Sequence, residues 1–415
     1  MTAQWKDDLR VFPTLRGYRR SWLSRDLVAG ISFGAITIPG QLATAHLAGM
    51  PPITGLYGFL AACLMAAVFA ANRHLALGMD STIAPMLAAG LVSLGLVAGT
   101  PEYVGMALVT TMLVGVLLLI IGFGKMGWFG DFLSRPVVTG FLGGIAIIIV
   151  VNQLPQFFGV ESQGERTVAR LWNVMAALPE VSVPTLVVGI SSLLLLLILS
   201  RFGPRFPSAL IVLTVSIIAS NVFDLNAMGV DTLGRLKSGL PDLTFPPITY
   251  GAVEAVLGTA LAIAVICIAQ TAATTRTAAA VGGFETDINA DFRAVGAANF
   301  LSSIFGSFTA NASPPSTTII SESRGRSQVT SLFACVLVVI VMFASGLIEA
   351  LPEATLSAIL LFIAIRIFHL DEMRSMKRYS WRAFGLMLTA LLGVVVLGVA
   401  YGVALAVIIS VLDRA

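Results

Sequence analysis

Two stretches of the chain place hydroxyl groups, prolines and a carboxylate between apolar segments long enough to cross a bilayer. One is DSTIAP, which begins at Asp80, and the other is ASPPSTTII, in which Ser313 precedes Pro314 and Pro315. Proline lacks an N–H donor and suits the first turn of a helix, and serine is a good N-cap. We therefore predict a short helix that begins at Pro314 or Pro315 within the membrane. Its start is expected to carry free N–H groups and a partial positive charge that attract an anion.

The first stretch repeats this pattern, since Asp80, Ser81 and Thr82 are predicted to open a second short helix. The two helix starts would face each other in the middle of the membrane. A carboxylate at that depth is costly, so Asp80 is by default a functional candidate that binds a cation or a proton. The structural alternative is a pair of ordinary loops with helix caps, in which Asp80 is only an N-cap.

Two glutamines also lie within apolar spans. Gln41 follows Pro39, which is expected to break the first span in its middle, and Gln270 lies four residues before Thr274, on the same helix face. An amide is not placed against lipid cheaply, so each glutamine either contacts substrate or forms an interhelical hydrogen bond that only holds the fold. The candidate substrate-binding residues are Gln41, Ser81, Thr82, Gln270, Thr274, Asn311, Ser313, Ser316 and Thr317, and the candidate cation-coupling residue is Asp80.

Composition limits the class of protein. Of the 415 residues, 57% are hydrophobic and only 11% are charged, whereas soluble domains contain about 25% charged residues. The three cysteines lie in apolar runs and the three histidines are scattered, so we expect no metal site, no catalytic residues and no enzymatic activity. Neither a nucleotide-binding motif nor a basic patch with interleaved aromatic residues is present, so no nucleic-acid partner is expected. The only cofactor-like species expected is a co-transported H⁺ or Na⁺.

The apolar runs predict an all-α polytopic membrane protein with fourteen transmembrane segments. The third and tenth segments are short. The predicted spans are 27–46, 54–71, 81–98, 102–123, 132–154, 183–200, 206–223, 252–280, 290–307, 315–323, 328–349, 354–369, 381–398 and 400–413.

The distribution of basic residues predicts that both termini are cytoplasmic. With that orientation only Arg166, Arg170, Arg235 and Lys237 lie outside, and the other 21 of the 25 Lys and Arg residues lie inside. The predicted layout is a cytoplasmic segment (1–26), a first seven-span repeat (27–223), an extracytoplasmic connecting loop (224–250) and a second seven-span repeat (251–415). An odd number of spans per half means that related halves are inverted in the membrane. The charged stretch HLDEMRSMKR is expected to be a solvated cytoplasmic loop.

Several segments carry a family resemblance. DLVAGISFGAITIP, NRHLALGMDSTIAPML and TDINADFRAVGAANFLSSIFGSF followed by GRSQVTSL resemble the first, third and ninth spans, and the turn after the tenth, of the sulfate permease (SulP) anion transporters. The resemblance implies a 7+7 inverted repeat with half-helices at segments 3 and 10. It also implies a core of spans 1–4 and 8–11, a gate of spans 5–7 and 12–14, and elevator-like movement of the core. A homodimer surrounded by membrane lipid, in a bacterial inner membrane, is expected.

The chain departs from the family pattern at three places. Gln270 stands where many members have a carboxylate, and Ser316 stands where some members have an arginine. Anion binding would then depend on helix dipoles, on Ser313, Ser316 and Thr317, or on a co-bound cation. The sequence ends at VLDRA, so the cytoplasmic STAS domain of the family is expected to be absent.

These observations predict a secondary active transporter of a small anion, namely sulfate, bicarbonate or a small carboxylate, coupled to H⁺ or Na⁺. The alternative is a nucleobase permease of the same architecture, in which Gln41 and Gln270 recognise an amide-bearing ring. A channel would need a continuous polar pore, whereas the predicted polar residues cluster at one depth.

Overall fold

The fold is known from a computed structural model, which describes residues 11–127, 135–160, 167–202, 208–234, 237–368 and 370–397. These residues form mostly helices, together with two short strands. The helices are α1 (Leu23–Leu47), α2 (Pro52–Phe69), α3 (Ala84–Val92), α4 (Pro101–Phe123), α5 (Arg135–Phe158), α6 (Thr167–Ala177), α7 (Val183–Leu199), α8 (Ser208–Phe223), α9 (Tyr250–Gly282), α10 (Ile288–Ile304), α11 (Pro314–Glu322), α12 (Val329–Phe343), α13 (Glu353–Ile367), α14 (Leu370–Tyr379) and α15 (Trp381–Leu397), and the strands are β1 (Leu77–Met79) and β2 (Ala310–Ala312).

Six helices of the described residues are long and apolar enough to cross a membrane, judged by length and composition. They include the whole of α2, α4 and α9, and three further apolar helices are shorter. The segments are Arg20–Leu47, Pro52–Phe69, Pro101–Phe123, Thr139–Phe158, Val183–Phe202 and Tyr250–Gly282. The fourteenth predicted span, 400–413, lies outside the described residues.

Two expectations about helices were wrong. Pro39 does not break the first span, because α1 continues through it from Leu23 to Leu47; a membrane helix tolerates proline where neighbouring groups satisfy the freed backbone. The charged stretch after residue 369 is a helix, α14, rather than a loop. Its Met373 is buried and lies against Gly143 of α5, so the helix has an apolar face that its charges obscure in the sequence.

The two strands, one from each half of the sequence, pair as a two-stranded antiparallel sheet. The register pairs Leu77 with Ala312, Gly78 with Asn311 and Met79 with Ala310. All six residues are buried. Such a short, buried pair needs other groups to satisfy its outer edges.

Those groups are two amide side chains. On α1, the Gln41 Oε1 accepts from the Met79 N–H at 2.7 Å, and its Nε2 donates to the Met79 carbonyl at 3.4 Å. On α10, the Asn299 Oδ1 accepts from the Ala310 N–H at 2.8 Å, and its Nδ2 donates to the Ala310 carbonyl at 2.9 Å. Each edge of the pair is thus closed by one side chain that copies the hydrogen bonding of a neighbouring strand.

The most extensive helix contacts fall into two groups. In the first group α10 packs on α4 and α2, α12 packs on α1 and α2, and α9 packs on α4. In the second group α5 packs on α13 and α15, and α7 packs on α13. Glycines allow close approach in both: a Cβ at Gly55 of α2 would collide with the Gln41 carbonyl, and one at Gly140 of α5 with the Met387 carbonyl. The strand pair and both short helices, α3 and α11, lie with the first group.

Candidate functional site

The strand pair positions the starts of the two short helices. Because the strands are antiparallel, Asp80 extends beyond one end of the pair and Ser313 extends beyond the other. The Ser313 N–H donates to the Ala76 carbonyl at 2.9 Å, which continues the pairing by one residue. A three-residue strand is roughly 10 Å long. The chain therefore leaves the strand pair toward α3 at one end and toward α11 at the other end.

Asp80 is the centre of the polar cluster. Its Oδ1 accepts from the Thr82 N–H at 2.7 Å and from the Thr82 Oγ1 at 2.8 Å. Its Oδ2 accepts from the Gln270 Nε2 at 2.5 Å and from the Asn311 Nδ2 at 3.4 Å. Four donors thus surround a carboxylate that is only 7% exposed. A carboxylate accepts about four hydrogen bonds, so a cation could bind it only by displacing a donor.

Gln270 of α9 connects the part of the cluster around Asp80 with the part at the end of β2. In addition to its bond to Asp80, its Nε2 donates to the Ala312 carbonyl at the end of β2, at 3.1 Å. Its Oε1 lies 3.3 Å from the Thr82 Oγ1. This amide therefore joins the start of α3 to the residue that precedes the N-cap of α11.

The other predicted residues divide by whether their polar atoms are already bonded. Asn311 accepts from the Thr271 Oγ1 at 3.0 Å, the Thr317 Oγ1 accepts from the Ala76 N–H at 3.1 Å, and the Thr274 Oγ1 donates to the Gln270 carbonyl at 2.7 Å. With Gln41, Thr82 and Gln270, these side chains hold the strands and helices in place.

Two predicted serines, Ser81 and Ser316, keep a hydroxyl hydrogen that no acceptor of the described residues takes up. Ser81 is half-buried and forms no hydrogen bond with the part of the chain that the structure describes. The Ser313 Oγ donates to the Ser316 Oγ at 3.0 Å, which leaves the Ser316 hydroxyl hydrogen free. Ser313 is half-buried and the following Pro314 and Pro315 are exposed, so this helix start is open on one side.

The start of α11 corrects one expectation. Free N–H groups were predicted there, yet Pro314 and Pro315 have none, and Ser313 is the N-cap. The Ser316 N–H donates to the Ser313 Oγ at 3.4 Å, and the Thr317 N–H donates to the Ser313 carbonyl at 2.9 Å. The helix dipole remains, but only hydroxyl groups are left to form hydrogen bonds with an anion.

The start of α3 also differs from the prediction. Residues 81–83 form a turn, and the helix begins at Ala84 rather than at Asp80. The Asp80 carbonyl accepts from the N–H groups of Ile83 and Ala84 at 3.1 and 3.0 Å. Asp80 is therefore bonded to the first turn through both its side chain and its carbonyl. Within the described residues, no basic side chain bonds to any predicted site residue.

Two buried carboxylates outside the predicted site hold the segments that lead into it. The Asp291 Oδ1 accepts from the Ala71 N–H at 2.9 Å, before β1, and its Oδ2 accepts from the Thr275 Oγ1 at 2.9 Å. The Asp26 Oδ1 accepts from the Arg326 N–H at 2.6 Å, after α11. Sequence reasoning missed Asp26, Asn299 and Thr271. The only signal for Asn299 was an amide within a span, which a capping or packing role explains equally well.

Two titratable groups outside the predicted spans lie close to Asp26. Burial raises the pKa of Tyr18 to about 12, and the negative charge of Asp26 makes a smaller contribution in the same direction. Burial lowers the pKa of His74, whose Nε2 lies 2.9 Å from the Gly325 carbonyl and whose Nδ1 has no partner. His74 therefore connects the segment before β1 to the turn after α11.

Similarity to known proteins covers nearly the whole chain. The Sulfate permease family matches residues 23–410. A probable sulfate transporter of Mycobacterium tuberculosis is 35% identical over 399 residues, which are 96% of this chain and 71% of that protein.

Solved structures share the fold. Murine Solute Carrier 26 family member A9, an anion transporter in the inward-facing state, superposes with a TM-score of 0.91 at 22% identity, over 99% of this chain and 72% of that one. The transmembrane domain of the cyanobacterial bicarbonate transporter BicA gives 0.80 at 22% identity, over 95% and 98%. At this identity the likeness shows the fold alone, and it confirms the predicted helical, polytopic membrane architecture.

Proposed function

This chain belongs to the sulfate permease family, and from that premise we propose that it is a secondary active transporter of a small anion. Its relatives are transporters, so the expectation that the chain is not an enzyme is confirmed at the level of the family. The relative from Mycobacterium tuberculosis is named a probable sulfate transporter, so sulfate is the first substrate to test. Bicarbonate and a small carboxylate remain candidates. The relatives described above give the nucleobase alternative no support.

The anion is proposed to bind between the starts of α3 and α11. The observation that carries this proposal is that the hydroxyl groups of Ser81 and Ser316 each keep a hydrogen to donate, at two helix starts fixed by one strand pair. The remaining predicted substrate-binding residues are proposed to position these groups. Because two helix dipoles point their positive ends toward this region, an anion is favoured there without a basic side chain.

Coupling to a cation follows from charge. Asp80 contributes one negative charge, and an anion adds at least one more. Entry of H⁺ or Na⁺ with the anion would offset this charge in a region that is largely buried. Asp80 stays the candidate coupling residue, with the condition that the cation displaces one of its four donors.

The finer architecture belongs to the same proposal. We propose fourteen segments in two inverted repeats (27–223 and 251–415), joined by the loop 224–250, with the segment 1–26 and both termini cytoplasmic. Two groups of closely packed helices support a core that moves as an elevator against a gate. A homodimer in a lipid bilayer, in a bacterial inner membrane, completes the proposal.

The test is uptake into proteoliposomes. Radiolabelled sulfate, bicarbonate, fumarate and uracil are each supplied with and without an imposed pH or Na⁺ gradient. We expect gradient-driven uptake of one anion and none of uracil. Uptake of uracil alone, or equal flux in protein-free vesicles, would contradict the proposal.

The site is tested with matched serine variants. Ser81→Ala and Ser316→Ala remove hydroxyl groups at the two helix starts, and Ser191→Ala removes an exposed hydroxyl on α7 that bonds only to the Val188 carbonyl. Loss of one hydrogen bond to a charged ligand should raise the KM for the anion by about tenfold or more. The α7 variant should match the unaltered protein. Equal KM values for all three variants would mean that the site is elsewhere.

A further inference from the structure

A polar cavity lies away from the strand pair, where α5 ends and α7 and α13 begin. Its volume is about 570 Å³, and it shares no lining residue with the predicted site. The predicted orientation places it at the extracytoplasmic face. The polar residues that line it are Asn152, Gln156, Arg170, Thr185, Asp231 and Glu353.

Arg170 of α6 is the cation of this cavity, and its side chain is half-buried. Its Nη1 donates to the Asn152 Oδ1 at 2.6 Å, and its Nε is buried with no hydrogen-bond partner. No carboxylate of the described residues lies within 4.0 Å of this guanidinium. Burial lowers the pKa of Arg170, although a guanidinium keeps its charge in proteins. A partly desolvated cation that has a free donor and no carboxylate partner among the described residues is costly unless an anion binds it.

The neighbouring amide has the same unfilled capacity. The Gln156 Oε1 is buried and has no hydrogen-bond partner. Rotation of the amide group would put its NH₂ at this position, so Gln156 can offer a donor beside the cavity that it lines. Thr185 also lines the cavity, and its hydroxyl lies 2.8 Å from the Ser182 Oγ.

The two acidic residues of the lining do not neutralise Arg170. Asp231 is exposed, so solvent screens its charge. The Glu353 Oε2 lies 4.0 Å from the His46 Nε2, and both side chains are about a quarter to a third exposed. Among the described residues that line the cavity, the charge that is desolvated and has no ion-pair partner is therefore that of Arg170.

We propose that this cavity binds a small oxyanion, sulfate or a carboxylate, on the forked donors of Arg170, and that it receives the anion before the central site does. A guanidinium presents two parallel N–H donors to the two oxygens of such an ion. Asn152 holds one edge of the fork in place, and Gln156 and Thr185 offer further donors. The identity of the anion rests on the proposed function, whereas the binding itself does not.

The experiment measures protection of a cysteine in the cavity. Val160 lines the cavity without a polar group, and the three native cysteines are buried. Val160→Cys in the full-length protein is labelled with a cationic, membrane-impermeant thiol reagent while sulfate is titrated against choline chloride at constant ionic strength. Sulfate is expected to slow labelling to saturation. Arg170→Gln should raise the half-protecting concentration about tenfold or more, and Arg170→Lys should raise it less.

Controls separate this site from the central one. Ser81→Ala with Ser316→Ala should leave the protection unchanged, and loss of sulfate uptake with intact protection would overturn the proposed function only. Protection lost in that double variant but retained in Arg170→Gln would overturn the cavity site, as would labelling that sulfate never slows. An unchanged labelling rate without sulfate shows that the cavity of Arg170→Gln is intact. If Arg170→Gln does not fold, an unaltered half-protecting concentration in Arg170→Lys would also overturn the inference.

Discussion

At the scale of single residues, the polar cluster is dominated by groups that satisfy one another. Asp80 accepts from Thr82, Gln270 and Asn311, and Gln270 also bonds to the backbone of Ala312. The observed contacts of Gln41 and Gln270 are therefore hydrogen bonds that hold the fold, which was the structural alternative stated for these glutamines. What remains for a ligand is a small set of serine hydroxyls.

Asp80→Asn should lower stability as well as transport. The new amide presents donors where a carboxylate oxygen now accepts from Gln270 and Asn311. One donor would be left unsatisfied, which costs about 1–3 kcal/mol. Thermal unfolding in detergent and gradient-driven sulfate uptake check this prediction.

The matched control for that variant is Asp242→Asn, which alters an exposed carboxylate paired with Lys237. It should leave the Tm unchanged. If Asp80→Asn folds with the same Tm and loses only the dependence of uptake on pH or Na⁺, Asp80 is a coupling residue rather than a structural one. If uptake and its coupling are both unchanged, it is neither.

His74 should make the apparent Tm sensitive to mild acid. Burial and the charges of Arg73 and Arg326 lower the pKa of His74. The Gly325 carbonyl and Asp26 act in the opposite direction and offset this lowering only in part. The unfolded chain takes up a proton at about pH 6.5, and the folded protein does so only at lower pH. The free energy of unfolding should therefore fall as pH falls through and below about 6.5.

The measurement compares the Tm at pH 7.5 and at pH 5.5 for the unaltered protein and for His74→Gln. Glutamine does not titrate and can donate to the Gly325 carbonyl. The Tm of His74→Gln should therefore fall less on acidification than the Tm of the unaltered protein. Equal losses in the two proteins would assign the pH dependence to other groups.

At the scale of elements, the site depends on the three-residue strands. The start of α11 was predictable, because Ser313, Pro314 and Pro315 act locally. The pairing of Leu77–Met79 with Ala310–Ala312 was not, since neither segment has a strand-like alternation and the partners are far apart in sequence. The mid-helix position of Pro39 and the helical state of α14 likewise depend on neighbours that a local pattern does not contain.

Asn299→Ala should loosen β2 and weaken anion binding. The variant leaves the buried N–H and carbonyl of Ala310 without the amide that satisfies both. Stability should fall by about 2 kcal/mol or more, and the KM for the anion should rise because β2 leads directly into Ser313. Thermal unfolding and uptake kinetics measure the two effects.

Asn221→Ala is the control for this variant, since Asn221 is exposed on α8 and its Nδ2 bonds only to the Ile217 carbonyl of the same helix. Its Tm and KM should equal those of the unaltered protein. A normal KM in a destabilised Asn299→Ala protein would show that β2 does not position the anion site.

At the scale of the whole molecule, the two groups of helices contact each other less extensively, among the described residues, than the helices within each group do. One contact is between α1 and α13, where the His46 Nε2 lies 4.0 Å from the Glu353 Oε2. If the groups move against each other during transport, a covalent link at this point should stop the cycle.

Bridging His46→Cys to Glu353→Cys with a short bifunctional thiol reagent should therefore abolish uptake, and reducing the bridge should restore it. Each single cysteine variant, treated in the same way, should retain its uptake. Full uptake by the bridged protein would rule out relative motion of α1 and α13 and with it the elevator.

The strand pair also sets a condition on biosynthesis. β1 is synthesised long before its partner, because more than two hundred residues separate Leu77 from Ala312. At a ribosomal rate of about 5–20 residues per second, the wait is roughly 10 to 50 seconds. Gln41 precedes β1 in the chain and already bonds to both backbone groups of Met79. In the nascent first half, Gln41 can therefore satisfy one edge of β1, while the edge that pairs with β2 stays open until the second half has entered the membrane.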